Sequence, residues 1–78
     1  MLINRNKVWS GTIKELNELK TYVVDEIDGF DCSVKFVING YVIGTSAVEG
    51  NEIKVCEIVD GEQYSYWMNE DEEIEIFA

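Results

Sequence analysis

The period of the apolar pattern changes partway along this chain. Between Thr12 and Asp28 the residues Ile13, Leu16, Leu19, Val23, Val24 and Ile27 recur at helical spacing. At about 100° per residue they fall within an arc of about 140°, the width of a core-facing helical stripe. Thr12 and Glu15 have capping-box spacing, in which the hydroxyl accepts from a free backbone N–H and the carboxylate reaches back. Gly29 stands where a helix takes a left-handed cap, with Phe30 placed to pack on the last turn. The pattern predicts a helix over residues 12–28. Two features oppose its last turns: Lys20 lies inside the apolar arc, and Thr21-Tyr22-Val23-Val24 has strand propensity.

Beyond Cys32 the period shortens to two. Val34 to Ile38, then Asn39-Gly40, then Tyr41 to Ile43 is a hairpin signal, because Asn-Gly accepts the positive φ angles of a type I′ turn. A two-residue loop pairs Ile38 with Tyr41, Phe36 with Ile43 and Val34 with Thr45 on one face, with Val37 and Val42 on the other. Asp60-Gly61 marks a second hairpin, pairing Val59 with Glu62, Glu57 with Tyr64, Val55 with Tyr66 and Ile53 with Met68. On its opposite face lie Ile58 with Gln63, Cys56 with Ser65 and Lys54 with Trp67. Residues 73–77 alternate as a final strand, with Ile74 and Ile76 inward and Glu73 and Glu75 outward. Residues 1–9 contain Leu2, Ile3, Val8 and Trp9 and suit a strand, though with poor alternation. The expected fold is α+β: one helix packed on an antiparallel sheet of four to five strands built from two hairpins, with the far face wet.

Length and composition support this. Seventy-eight residues make a single domain, and 46% apolar with 12% aromatic residues is enough to fold despite a net charge of −10. A chain of this size buries about 60–65% of its unfolded surface, so modest stability is expected. Two cysteines, Cys32 and Cys56, fall short of a disulfide framework and suit small, partly buried thiols in a reducing compartment. The first residues lack a signal-peptide core, and no apolar run reaches the roughly 20 residues of a transmembrane helix. The expected location is cytoplasmic, or the host cytosol for a virus-encoded chain.

Charge is unevenly spread. Residues 1–20 hold four basic and two acidic groups, a net of +2; residues 21–78 hold two basic and fourteen acidic groups, a net of −12. Such a surface repels nucleic acid and anionic membrane and attracts basic surfaces. Arg5, Lys7, Lys14 and Lys20 are too few for a nucleic-acid interface.

Catalysis finds little support. The chain has no histidine, which removes the commonest general base, and nothing near Cys32 or Cys56 lowers a thiol pKa. With sixteen acids in 78 residues, close carboxylate pairs arise by chance. Asp25, Asp28 and Asp31 around Gly29 depart from EF-hand spacing, and Glu70 to Glu73 suits a solvated loop. The expectation is a non-enzyme without metal or cofactor.

What remains is binding. Asp25, Glu26, Asp28 and Asp31 belong to the predicted helix end. The candidate partner-binding residues are Glu57, Asp60, Glu62 and Tyr64 on the second hairpin, Trp67 beyond them, and Glu70, Asp71, Glu72, Glu73 and Glu75 in the tail. Acids two apart on a strand, such as Glu73 and Glu75, stand about 6.8 Å apart on one face. Two base-pair rises cover a similar axial distance of about 6.8 Å, so such a row imitates phosphates. In the predicted register Tyr66 is core, whereas Trp67 points to the uncovered face beside Ile58, where an exposed tryptophan is a hot-spot residue.

Two functions fit. The first is a small acidic inhibitor docking on a basic, nucleic-acid-handling protein such as a nuclease. In size and charge the chain resembles phage anti-restriction and anti-CRISPR proteins and the antitoxin or immunity proteins that block nucleases, a resemblance of character carried by no motif. The second is a structural or adaptor module in which the N-terminal segment or EIEIF forms a sheet edge that pairs with another chain or a second copy as a homodimer.

Overall fold

The computed structural model describes residues 6–19, 22–23, 33–38 and 40–78; the side chains of residues 22, 23, 33 and 34 are not among those described. Its order is β1 (Lys7–Thr12), α1 (Ile13–Glu18), β2 (Tyr22–Val23), β3 (Ser33–Ile38), β4 (Tyr41–Glu49), β5 (Glu52–Val59), β6 (Glu62–Asn69) and β7 (Glu73–Phe77). Five strands form one sheet in the order β2-β3-β4-β5-β6, and β1 with β7 forms a separate two-stranded ribbon. The architecture is sheet-dominated α+β.

The β5–β6 register agrees with the sequence pattern at every predicted pair, from Val59 opposite Glu62 to Ile53 opposite Met68. Asp60 at φ 51° and Gly61 at φ 79° give the type I′ turn that sets this register. The β3–β4 hairpin agrees from Ile38–Tyr41 to Phe36–Ile43, after which an irregularity intervenes. Val34 then faces Gly44 and Thr45 faces Ser33, which corrects the expected Val34–Thr45 pair. An extra residue in one strand shifts everything beyond it by one position. Asn39 lies outside the described residues; Gly40 has φ 80°.

A further hairpin joins β4 to β5. Glu49 faces Glu52 across Gly50-Asn51, and Gly50 alone has positive φ, the signature of a type II′ turn. This hairpin was not expected, although Gly-Asn between two strand-like runs carries its signal.

The helix is much shorter than predicted. It spans Ile13–Glu18, and Leu19 leaves the helical region at φ −59°, ψ 131°. The capping box is present: Glu15 N–H donates to Thr12 Oγ1 at 3.1 Å, and Thr12 N–H to Glu15 Oε1 at 3.0 Å. Tyr22 and Val23, both within the predicted helix, instead pair parallel with Phe36 and Val37. An aromatic and a β-branched residue gain more on a sheet edge than in a seventeen-residue helix interrupted by Lys20. Lys20, Val24 to Cys32 and the predicted Gly29 cap lie outside the described residues, as does the segment 1–5 of the predicted first strand.

The main core lies between one face of the five-stranded sheet and the layer formed by α1 and the ribbon. Ile13, Leu16, Phe36, Ile43, Ile53, Val55 and Ile76 are buried together there, with Val8, Trp9, Leu19 and Ile74 packed against them. Burying one such side chain contributes about 1.5–3 kcal/mol. Ile74 and Ile76 point inward and Glu73 and Glu75 outward, as the alternation predicts. EIEIF pairs with β1, however, and adds no strand to the larger sheet. The expectation of a wet far face is also corrected: Val37, Val42 and Ile58 form a second buried cluster there, and Cys56 is buried on the same face. Among the described residues, no helix is long and apolar enough to cross a membrane.

Candidate functional site

The predicted binding residues occupy three places. Glu57, Asp60, Glu62 and Tyr64 lie near the β5–β6 turn. Trp67 is near the other end of β6, about 17 Å further along at about 3.4 Å per residue from Glu62. Glu73 and Glu75 stand exposed on the outward side of the ribbon. Glu70, Asp71 and Glu72 form the turn between β6 and β7, close to Trp67 in the chain.

At the β5–β6 turn Glu57 and Glu62 are engaged within the protein. Glu57 accepts hydrogen bonds on both oxygens: the Tyr41 hydroxyl donates to Oε1 and the Tyr66 hydroxyl to Oε2, each at 2.8 Å. Register explains this fork. Ile43 and Tyr64 flank Glu57 on adjacent strands, so Tyr41 and Tyr66 are its same-face diagonal neighbours. Tyr66 is 38% exposed rather than core, because β6 is the outer strand and its ring is covered from one side. Burial, then the hydrogen bond and negative charge of Glu57, then Tyr41, push the Tyr66 phenol well above its usual range. The Tyr64 hydroxyl donates to Glu62 Oε2 at 3.0 Å.

The Trp67 end differs. Trp67 is 42% exposed on the face opposite the main core, directly across from Lys54. It lines an open recess with Glu49, Gly50 and Glu52. Period-two alternation puts Glu52 on the same face as Lys54, and pairing puts Glu49 opposite Glu52. The two turns here are tied together by backbone: Glu70 N–H donates to the Asn51 carbonyl at 2.8 Å. The helix start holds the same corner, since Ile13 and Lys14 N–H donate to the carbonyls of Glu72 and Glu70 at 2.9 and 3.0 Å. Asp71 N–H donates to Asn69 Oδ1 at 3.0 Å.

Glu49, Glu52 and Tyr41 were missed in the sequence. The Gly50-Asn51 turn would have found the first two. Tyr41 required knowing that β4 lies beside β5. Among the described residues, no group of three or more acidic or cysteine side chains is placed to hold a metal ion. Cys56 is buried beneath Ser65 and Gln63, whose side chains approach its Sγ at 3.7 and 3.9 Å. Protein-family models, curated proteins and solved structures all give no match to this chain.

Proposed function

We propose that this protein is a small acidic docking protein that binds a basic surface of a nucleic-acid-handling protein and competes there with nucleic acid. The observation that carries the reading is the corner around Trp67. A half-exposed indole stands beside Glu49 and Glu52, with the Glu70-Asp71-Glu72 turn tied to the same corner. An exposed indole among carboxylates suits a Lys or Arg side chain, which gains from both charge and the ring face. A partner surface built to hold phosphates presents such side chains in rows.

The test begins with immobilised protein and a native lysate at low salt, followed by association kinetics with the captured protein. Reversing Glu49 and Glu52 to Lys should slow association by about tenfold or more at about 0.05 M salt, and raising salt to about 0.5 M should remove most of the difference. The captured protein should lose nucleic acid as the acidic chain is added. An association rate indifferent to salt would sink the proposal.

The adaptor reading has a separate observation in its favour. EIEIF is paired along one side with Lys7–Thr12, but the larger sheet ends on β6, whose outer side meets no strand among the described residues. The two readings converge on that edge.

A further inference from the structure

Sheet edges invite pairing, and proteins usually blunt them with short strands, lysines, bulges or charge. Among the described residues four strands lie at sheet edges, and three of them carry such a device. Strand β2 has two residues, β1 has Lys7 and a register irregularity beside it, and β7 alternates Glu73 and Glu75. Strand β6 has only a single terminal charge. It runs eight residues in unbroken register, with no proline or lysine and with Glu62 as its one charged residue. Six of its eight residues are exposed.

The turn fixes which backbone groups face out. In the type I′ turn at Asp60-Gly61, Val59 and Glu62 form the hydrogen-bonded closing pair. Bonded and non-bonded pairs alternate, so Glu62, Tyr64 and Tyr66 bond to β5. The N–H and C=O groups of Ser65 and Trp67 therefore point away from the sheet.

We propose that β6 is a docking edge for an extended segment of a partner protein, uncharged through its middle and basic at both ends. This rests on the basic-partner reading above and says how that partner is held. The neutral stretch from Gln63 to Asn69 lies between Glu62, which opens β6, and Glu70, in the turn that follows it. Asp60 adds to the first end, and Asp71 and Glu52 to the second. Antiparallel self-pairing centred on Tyr66 or Ser65 brings Glu62 or Asp60 near the other copy's Glu70, twice by symmetry, and these like charges repel. The acids at the strand ends thus disfavour those self-pairings and favour a strand with basic flanks.

The probe is a synthetic peptide with a Thr-Val repeat of about seven residues flanked by lysine pairs. Two controls replace the lysines with glutamates, or alternate residues of the repeat with proline. The readout is amide exchange of the isotopically labelled full chain at about 0.05 M salt. The lysine-flanked peptide should slow exchange at Ser65 and Trp67 by about tenfold or more, and neither control should. Ser65→Pro removes an outward N–H and no bond of the sheet, so it should abolish protection at Trp67 while the melting transition persists. Should that variant fail to fold, N-methylation of Ser65 by chemical ligation removes the same donor. Equal binding of the lysine and proline peptides, without protection at Ser65 and Trp67, overturns the edge inference and leaves the basic-partner reading standing. Equal protection by the glutamate-flanked peptide overturns the charge selection and the basic-partner reading with it. A concentration-dependent dimer that protects the same two amides, or no protection by any peptide, also overturns the inference.

Discussion

At one end of the β5–β6 hairpin, Glu57 accepts a tyrosine hydroxyl on each carboxylate oxygen, and Glu62 accepts a third. At the other end, Glu49 and Glu52 stand beside Trp67, and among the described residues their carboxylates accept no side-chain hydrogen bond. Both ends place acids beside aromatic rings. At the turn end, the phenol O–H groups lie on the same face as Glu57 and within reach of it. At the far end, indole offers a single N–H donor and an apolar face, so the carboxylates there keep their hydration and their reach toward a partner. The same composition thus serves internal structure in one place and an exposed surface in the other, and the aromatic partner decides which.

The largest effect should come from breaking the fork. Glu57→Ala leaves two tyrosine hydroxyls without their acceptor and should cost about 1–3 kcal/mol in urea denaturation. Glu52→Ala, at the exposed end, should change stability by less than about 0.5 kcal/mol. Equal costs at the two sites would erase the contrast.

Thr12→Ala comes next. It removes the helix cap that holds the Glu70–Glu72 turn and should cost about 1 kcal/mol. Exchange at the Ile13 and Lys14 amides should accelerate in that variant, while the tyrosine end is unaffected.

A pH titration separates the ends further. The folded Tyr66 phenol is raised above its unfolded value of about 10, so the fold favours its neutral form. Its contribution to stability is complete below that unfolded pKa and is lost as pH rises toward the higher folded one. Ultraviolet titration should show a late-ionising phenol that Tyr66→Phe deletes and Glu57→Gln brings back toward the normal range.

The smallest effect concerns Trp67 itself. With Trp9 replaced by Phe, caesium ion should quench Trp67 fluorescence about two- to fivefold more efficiently than iodide at low salt, and the ratio should fall toward one as salt rises. Equal quenching at low salt would mean that the carboxylates do not dominate the field at the indole.

Much of the β-structure was legible because period-two alternation and turn chemistry are local. Asp60-Gly61 alone determines which residues of β5 and β6 face each other, and Trp67 was correctly placed opposite Lys54 on the face away from the core. The helix was less legible, since Leu16, Leu19 and Val23 fit a helical stripe even though the chain leaves the helix at Leu19. What draws Tyr22 and Val23 away is β3, ten residues further on, and no window around them contains it. The Glu49–Glu52 pair was missed because β4 continues past its irregularity near Ser46, where the alternation of Thr45, Ser46 and Ala47 loses its phase.

By itself, then, the sequence determined the charge asymmetry, the capping box, the two turns with glycine in second place and the inward set of Ile74 and Ile76, all of which depend on residues close in the chain. The tertiary structure decided which strands are neighbours. That choice joined Tyr41 and Tyr66 to Glu57, set the final strand against β1 and left β6 at the edge of the larger sheet. These outcomes depend on burying two faces of one sheet at once, and short-range patterning carries no record of which distant segments will meet.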